Sequence, residues 1–247
     1  MFRLLWRVIL GTLALAFAGV AYLWFTVPDV RPLKTTVPAS TAFMDLRARE
    51  AAAAGKPVRK VQRWIPYGRI SPLLVRAVLV SEDAAFWSHN GIDYDELKAA
   101  FETSIEKGQP MRGASTITQQ LAKNLYLSPS RNPTRKLSEL FITRRLEAEL
   151  SKRRILELYL NLIEWGDGIW GCEAAAQTYF GVSASDLSAS QAALLAGSII
   201  NPRRYSPAHP GSVLLKRQAI ILKRMGDVTP PGSENPPGAN KSGAPVG

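Results

Sequence analysis

The stretch from Ser71 to Gly91 reads SPLLVRAVLVSEDAAFWSHNG. Ser71-Pro72 has the form of an N-cap followed by a first-turn proline, whose missing N–H is not needed there. Leu74, Ala77, Val78 and Ser81 follow at helical spacing, so the stretch predicts a helix with one buried face. Glu82 and Asp83 close that helix and run at once into Phe86, Trp87, His89 and Gly91. A carboxylate at a helix C-terminus opposes the dipole, and aromatic neighbours take it out of water. Both effects suit proton transfer. The competing reading is a solvated helix end anchored by Phe86 and Trp87, with His89 as a structural hydrogen-bonding group.

Working outward, the same helical period continues. Helices are expected at about 93–106, 115–125, 133–149, 152–163 and 171–179, with Ser115 available as a cap for the second of these. Ser188 and Gln191 form a capping box for a helix that ends before Asn201-Pro202, and a last helix at about 211–225 stops at Gly226. Only residues 28–38 and 58–65 have extended character. The fold class is mainly α.

Toward the N-terminus, Val8–Val27 is a run of twenty residues without a formal charge. As a helix it would be about 30 Å long, the thickness of bilayer hydrocarbon. Arg3 and Arg7 precede it, which orients the N-terminus to the cytoplasm and exports the rest. A cleaved signal peptide competes through Ala16-Phe17-Ala18, but the apolar run continues nine residues past Ala18. The sequence therefore divides into a cytoplasmic tip (1–7), a transmembrane signal-anchor (8–27), a proline-broken stalk with one Ala-rich helix at 41–54 (28–57), one domain (58–226) and a disordered tail (227–247) with five Pro and four Gly.

The chain has 247 residues, 46% hydrophobic and 21% charged, which excludes a disordered chain and a polytopic membrane protein. Its formal charge of +11 predicts an anionic partner. With the bulk of the chain exported, that partner is anionic membrane lipid or envelope phosphate, not nucleic acid. One Cys, Cys172, allows no internal disulfide and reads as a small packed residue.

Two further clusters carry chemistry. In the first, Arg112-Gly113-Ala114-Ser115-Thr116-Ile117-Thr118-Gln119-Gln120-Leu121-Ala122-Lys123-Asn124, Gln119 and Lys123 share a helical face with Gln120 and Asn124 beside them. Amides and an ammonium without a Glu suit sugar hydroxyls and phosphate oxygens, against the plainer reading of a solvated face. The second holds Arg131, Arg135, Lys136, Glu139, Arg144 and Arg145. Arg135 and Glu139 make an ordinary i,i+4 pair, while Arg131, Arg135 and Lys123 together could hold a pyrophosphate. Lys152, Arg153 and Arg154 read as a solvated or lipid-facing run. No nucleotide-binding glycine loop and no H-E-x-x-H occurs, and Ser104-Ile105-Glu106-Lys107 matches S-x-x-K without its partner motifs.

Taken in order, these clusters resemble the membrane-anchored monofunctional peptidoglycan glycosyltransferases and the equivalent domain of class A penicillin-binding proteins. The resemblance covers about residues 58–226. It rests on Glu82-Asp83-x-x-Phe86-x-x-His89-x-Gly91, Gly113-x-Ser115-Thr116-Ile117-Thr118-Gln119-Gln120-Leu121-x-Lys123-Asn124, Arg135-Lys136-x-x-Glu139, Lys152-x-x-Ile155-Leu156-Glu157-x-Tyr159-Leu160-Asn161 and, more weakly, Arg217-x-x-x-Ile221-Leu222-x-x-Met225. Ala114 stands where the family usually has Gly, and Ile221 where it usually has Val; neither change removes a chemical group.

The resemblance implies a lysozyme-like bilobal domain that polymerises lipid II into β-1,4-linked glycan and releases undecaprenyl pyrophosphate, inverting at MurNAc C1. By it Glu82 is the general base and Glu139 the second essential acid. Lys123, Arg131 and Arg135 stabilise the leaving pyrophosphate. Asp83, His89, Ser115, Thr116, Gln119, Gln120, Asn124 and Lys136 complete the substrate-binding set. No tightly bound cofactor is implied; a divalent cation, Mg2+ or Mn2+, at Glu139 is the one metal question it leaves open. The implied setting is a single-pass inner-membrane protein with a periplasmic domain, working on lipid II and a growing glycan strand beside cell-wall synthesis or division proteins. Those include a separate transpeptidase, since the chain is too short to carry one. A lytic enzyme that cleaves glycan is the nearest alternative, but it handles no pyrophosphate and has no use for the basic cluster. An inactive scaffold is the other, and retention of both Glu82 and Glu139 argues against it.

Overall fold

The caps written into the sequence set most helix boundaries. In the computed structural model, which describes residues 2–109, 113–127 and 133–226, the elements run α1 (Phe2–Phe25), α2 (Ala42–Ala53), β1 (Val61–Gln62), α3 (Pro72–Glu82), α4 (Tyr94–Lys107), α5 (Ile117–Tyr126), α6 (Pro133–Glu149), α7 (Lys152–Leu162), β2 (Glu164–Gly166), β3 (Ile169–Trp170), α8 (Cys172–Phe180), α9 (Ala189–Ser198) and α10 (Ser212–Arg224). Ser71, Asp93 and Ser151 each accept a first-turn backbone N–H of α3, α4 and α7, and Ser188 with Gln191 closes the capping box of α9. Glycines 108 and 181 end α4 and α8 in the left-handed conformation. The cap of α5 is Thr116 and not Ser115. Thr116 Oγ1 accepts Gln119 N–H while Gln119 Oε1 accepts Thr116 N–H, so a reciprocal box one residue later displaces the simpler serine cap.

The fold is mostly helical. One core holds Trp165, Trp170, Tyr159 and Phe86, all at most 1% exposed, among aliphatic side chains of α3, α5, α7, α8 and α9. Helices α3, α9 and α10 pack together at one side, and α5 packs on α6 and α7. Beside them lies a three-stranded sheet in the order β1-β3-β2, with β1 parallel and β2 antiparallel to β3. The sheet is a departure from expectation for β2 and β3, whose two or three residues are too few to show a period in sequence.

Residues 28–57, expected as a stalk, lie against the helical body. Val30, Leu33 and Met44 are part of the core, and α2 packs on α5. Residues 31–34, expected as extended, form a 3-10 turn opened by Arg31-Pro32. The Arg154 guanidinium fastens the segment, donating to the carbonyls of Leu33 (2.8 Å) and Thr36 (2.9 Å) and to Glu157 (2.6 Å). Lys152 and Arg153 are likewise committed: Lys152 pairs with Glu147 at 2.8 Å and sits 4.4 Å above the Phe86 ring, and Arg153 lies over Tyr67. Lys152 and Arg154 are therefore struts within the fold and not part of a solvated run, while Arg153 stays exposed at the surface.

Helix α1 is the one helix among the described residues long and apolar enough to cross a membrane, and its window is unburied. Its C-terminal end touches the body. Trp24 meets Phe141 of α6 edge to face, and Arg145 reaches both the Trp24 ring and the Val27 carbonyl (3.1 Å). The tail expected over 227–247 lies outside the described residues, as does Arg131.

Candidate active site

Helix α3 delivers Glu82 on its last turn, where the apolar face of the helix ends and the chain turns at Asp83. Glu82 is half-buried in a cleft of about 200 Å³ bordered by Ser81, Asp83, Glu96, Ser115, Thr116 and Arg224 among others. Its two carboxylate oxygens have separate donors. Ser81 Oγ donates to Oε1 at 3.0 Å and Gln120 Nε2 to Oε2 at 3.0 Å. A carboxylate so held is oriented and open to the cleft, the geometry for accepting a proton from a hydroxyl.

The rest of the first motif holds the second motif in place. Asp83, 8% exposed, accepts the Ile117 backbone N–H on Oδ2 (2.9 Å) and faces His89 Nε2 on Oδ1 (2.9 Å). Gly91 N–H donates to His89 Nδ1 (3.1 Å), so the neutral ring carries its proton on Nε2 and donates it to Asp83. Thr116 Oγ1 in turn donates to the Gly91 carbonyl (2.7 Å). Gly91 has φ +85°, and a Cβ there would lie 2.7 Å from Thr143 Cγ2, so both conformation and space demand glycine. Gln119 is occupied by its capping box, and Asn124 Nδ2 donates to the Gln120 carbonyl (2.9 Å). Ser115 is exposed on the cleft wall.

The basic cluster gathers around Glu139, 3% exposed on α6. Arg135 donates to Oε2 at 2.9 Å, and Lys136 donates to Oε1. Lys123 of α5 lies within electrostatic reach of both Glu139 and Glu82. Burial pushes the Lys123 pKa below its ordinary value; the charges of Arg135 and Lys136 add to that, and Glu139 and Glu82 oppose it. The ring of Phe43, on α2, lies 5.7 Å from Lys123 Nζ.

The structure thus brings Glu82, Ser115, Thr116 and Asp83 to one cleft and Lys123, Arg135, Lys136 and Glu139 to one charge cluster. His89 ties Asp83 to Gly91, while Gln119 and Asn124 bond within α5 and its cap. A divalent cation does not fit at Glu139 as arranged, because both oxygens already serve cations and Lys123 adds a third positive charge nearby. Asp83, His89 and Asp93 present oxygen and nitrogen atoms within 4.8 Å of one another, but each already holds a backbone N–H: Ile117, Gly91 and Glu96 respectively.

Several participants carry no role from sequence reasoning. Ser81 adjoins the acid but reads as part of the helical face. Arg217, in the weak fifth motif, donates to the Gly197 carbonyl (3.0 Å) and reaches Ser81 Oγ (3.5 Å). Tyr159, in the fourth motif, donates to Gln120 Oε1 (2.8 Å). The places of Arg217 and Tyr159 in the motifs were a signal; Ser81 and Phe43 had none.

A family model described as Transglycosylase matches residues 49–226, well over half of the chain. Curated relatives agree. A biosynthetic peptidoglycan transglycosylase of Laribacter hongkongensis (strain HLHK9) is 45% identical over 224 residues, covering 91% of this chain and 98% of the relative. One of Nitrosospira multiformis is 43% identical over 229 residues, 93% of this chain and 98% of the relative. One of Aromatoleum aromaticum is 52% identical over 194 residues, 78% and 84% of the two chains.

Proposed function

The chain belongs to the transglycosylase family and is a peptidoglycan glycosyltransferase, and from that premise we propose that it polymerises lipid II at a membrane surface with Glu82 as general base. A mostly helical body is consistent with the lysozyme-like fold of such domains. In the proposed step the 4-hydroxyl of the acceptor GlcNAc gives its proton to Glu82 while its oxygen attacks C1 of the donor MurNAc. The C1–O bond to the α-linked undecaprenyl pyrophosphate breaks, the pyrophosphate leaves with the bonding pair, and a β-1,4 bond forms with inversion. A sugar hydroxyl is a weak nucleophile, so an ionised carboxylate beside it lowers the barrier. The leaving group gains negative charge, which fixed cations stabilise where it develops. Lys123, Arg135 and, from the sequence, Arg131 are assigned that task. Glu139 keeps Arg135 and Lys136 ordered beside Lys123. Ser115 and Thr116 lie on the cleft wall where the sugars would pass, and no step is routed through a metal ion.

The observation that carries this reading is one cleft carboxylate, Glu82, held by Ser81 and Gln120, with Lys123 in electrostatic reach both of it and of the cation cluster gathered on buried Glu139. A glycan-cleaving enzyme has no use for the second half of that arrangement. We place α1 in the inner membrane with its N-terminus cytoplasmic and the domain periplasmic, where Arg3 and Arg7 support the orientation and the contacts of Trp24 and Arg145 hold the domain close to the bilayer. Anionic lipid suits the remaining positive charge. Crosslinking of the product is assigned to a separate transpeptidase within a cell-wall synthesis or division assembly.

The test is polymerisation of purified lipid II by the detergent-solubilised full chain. Wild type should extend uncleaved β-1,4 glycan and release undecaprenyl pyrophosphate, and folded Glu82→Gln should do neither. Full activity in Glu82→Gln, or shortening of added polymer by wild type, overturns the proposal.

A further inference from the structure

Glu82 has one neighbour that is held at both ends of its side chain. Gln120 Nε2 donates to Glu82 Oε2 at 3.0 Å, and the other end of the same amide, Oε1, accepts the Tyr159 hydroxyl at 2.8 Å. An amide has two ends of opposite polarity, so its direction matters. Reversed, it would set a carbonyl oxygen against the Glu82 carboxylate, two acceptors facing each other, so the carboxylate sets the direction of the amide. The Tyr159 hydroxyl, able to donate or accept, anchors the far end of the amide and fixes its place beside Glu82. Tyr159 is fully buried on α7, in the core and not on the cleft wall.

We propose that Tyr159 is a positioning residue for glycosyl transfer, acting through Gln120 to hold the Glu82 carboxylate in the orientation that accepts the acceptor's proton. The inference rests on the reading of Glu82 as the base. Three observations converge on it. The relay Tyr159–Gln120–Glu82 joins α7, α5 and α3, so the base is referenced to the core on two sides, with Ser81 on the other oxygen. Gln120 is fixed at its backbone, since its carbonyl accepts Asn124 Nδ2 at 2.9 Å and its N–H donates to the Thr116 carbonyl at 2.9 Å; at the amide, Nε2 serves Glu82 and, at 3.5 Å, the Ser115 carbonyl, and Tyr159 holds the Oε1 end. Burial first, then the nearby charges of Glu82 and Asp83, push the Tyr159 pKa well above its ordinary value, so the hydroxyl keeps its proton throughout the working range. Because Tyr159 cannot touch substrate, its effect must appear in turnover and not in binding.

The experiment compares Tyr159→Phe, Gln120→Met, the double variant and Glu82→Gln in the lipid II assay. Rates are normalised to the folded fraction from a thermal melt. Tyr159→Phe should lose about tenfold in kcat, the scale of one hydrogen bond, with KM for lipid II within about twofold of wild type. In the Gln120→Met background the tyrosine change should cost less than about twofold, because nothing remains to orient. A tyrosine that only fills the core would cost the same in both backgrounds, and that result, or wild-type kcat in Tyr159→Phe, overturns the inference. Failure of the underlying reading looks different: Glu82→Gln would then turn over normally, and the relay would have no base to serve.

Discussion

Asp83 Oδ2 accepts the backbone N–H of Ile117 at 2.9 Å, across thirty-four residues of sequence, and this bond joins the end of α3 to the start of α5. The residue beside the proposed base therefore sets where the wall of the cleft begins. The same carboxylate also accepts from His89 Nε2, whose tautomer is set by Gly91 N–H at Nδ1.

Asp83→Asn tests the relationship. One oxygen remains to accept Ile117 N–H, but the amide NH2 then meets the Nε2–H of His89, and the ring cannot switch tautomer without losing Gly91. A buried donor is left unsatisfied, which costs about 1–3 kcal/mol. For a domain of this size that lowers the melting temperature by several degrees, roughly 2–4 °C per kcal/mol. Polymerisation should fall with it, since Ser115 and Gln120 lose their reference to Glu82. A variant that melts and turns over like wild type would contradict the bond's importance.

Lys152 gives a second test, of the finding that it is an internal strut. Its Nζ pairs with Glu147, whose side chain is 8% exposed and also accepts Thr118 Oγ1 at 2.6 Å, and it caps the Phe86 ring. Lys152→Met should destabilise by about 2–3 kcal/mol, because a nearly buried carboxylate loses its counter-charge. Adding Glu147→Gln should recover part of that loss, as the amide can still accept from Thr118. Chemical denaturation of the two variants decides it: a freely solvated lysine would show neither the loss nor the recovery.

What could be read from sequence, and what could not, follows from the range of the interactions. Caps are local, so the cap at Ser71 and the box at Ser188 were legible residue by residue, and Thr116 escaped only because Ser115 offers the same chemistry one position earlier. The packing of residues 28–57 was not legible. Val30, Leu33 and Met44 are isolated apolar residues in a proline-broken segment, and their partners, such as Arg154, lie more than a hundred positions away. In the site, the motifs marked which residues matter without distinguishing a side chain that faces substrate from one that holds the backbone facing it. Asp83, His89, Thr116 and Gln119 carry ties of the second kind, and spacing cannot show that.

Lys123 carries a prediction for the basic limb of the pH profile. Burial favours its neutral form, so its pKa is lowered from the ordinary 10.5; Arg135 and Lys136 push the same way, Glu139 and Glu82 the other. The cation is present below that lowered value and is lost as pH rises through it. If the ammonium stabilises the leaving pyrophosphate, kcat/KM, which reports the free enzyme, should fall on a basic limb below 10.5. Lys123→Arg keeps a charge that does not titrate in this range. Its rate should be lower at neutral pH, because the fork differs in shape, but its basic limb should be absent or moved upward. An unchanged limb in that variant would assign the titration to another group.

Phe43 extends the argument to a residue that precedes the family match, which begins at residue 49. Its ring centroid lies 5.7 Å from Lys123 Nζ, inside the range where a cation is attracted to an aromatic face. The attraction favours the charged lysine, opposing the effect of burial. Phe43→Leu keeps an apolar side chain against the core but removes the π face. The expected loss in kcat/KM is about threefold, corresponding to roughly 0.5–1 kcal/mol for such a contact. The basic limb should also move to lower pH, because the cation loses a stabilising neighbour while its desolvation remains. Phe43→Trp, with the stronger face, should shift the limb the other way. A leucine variant with the wild-type pH profile would mean that α2 contributes packing alone, and that the site's electrostatics are complete without it.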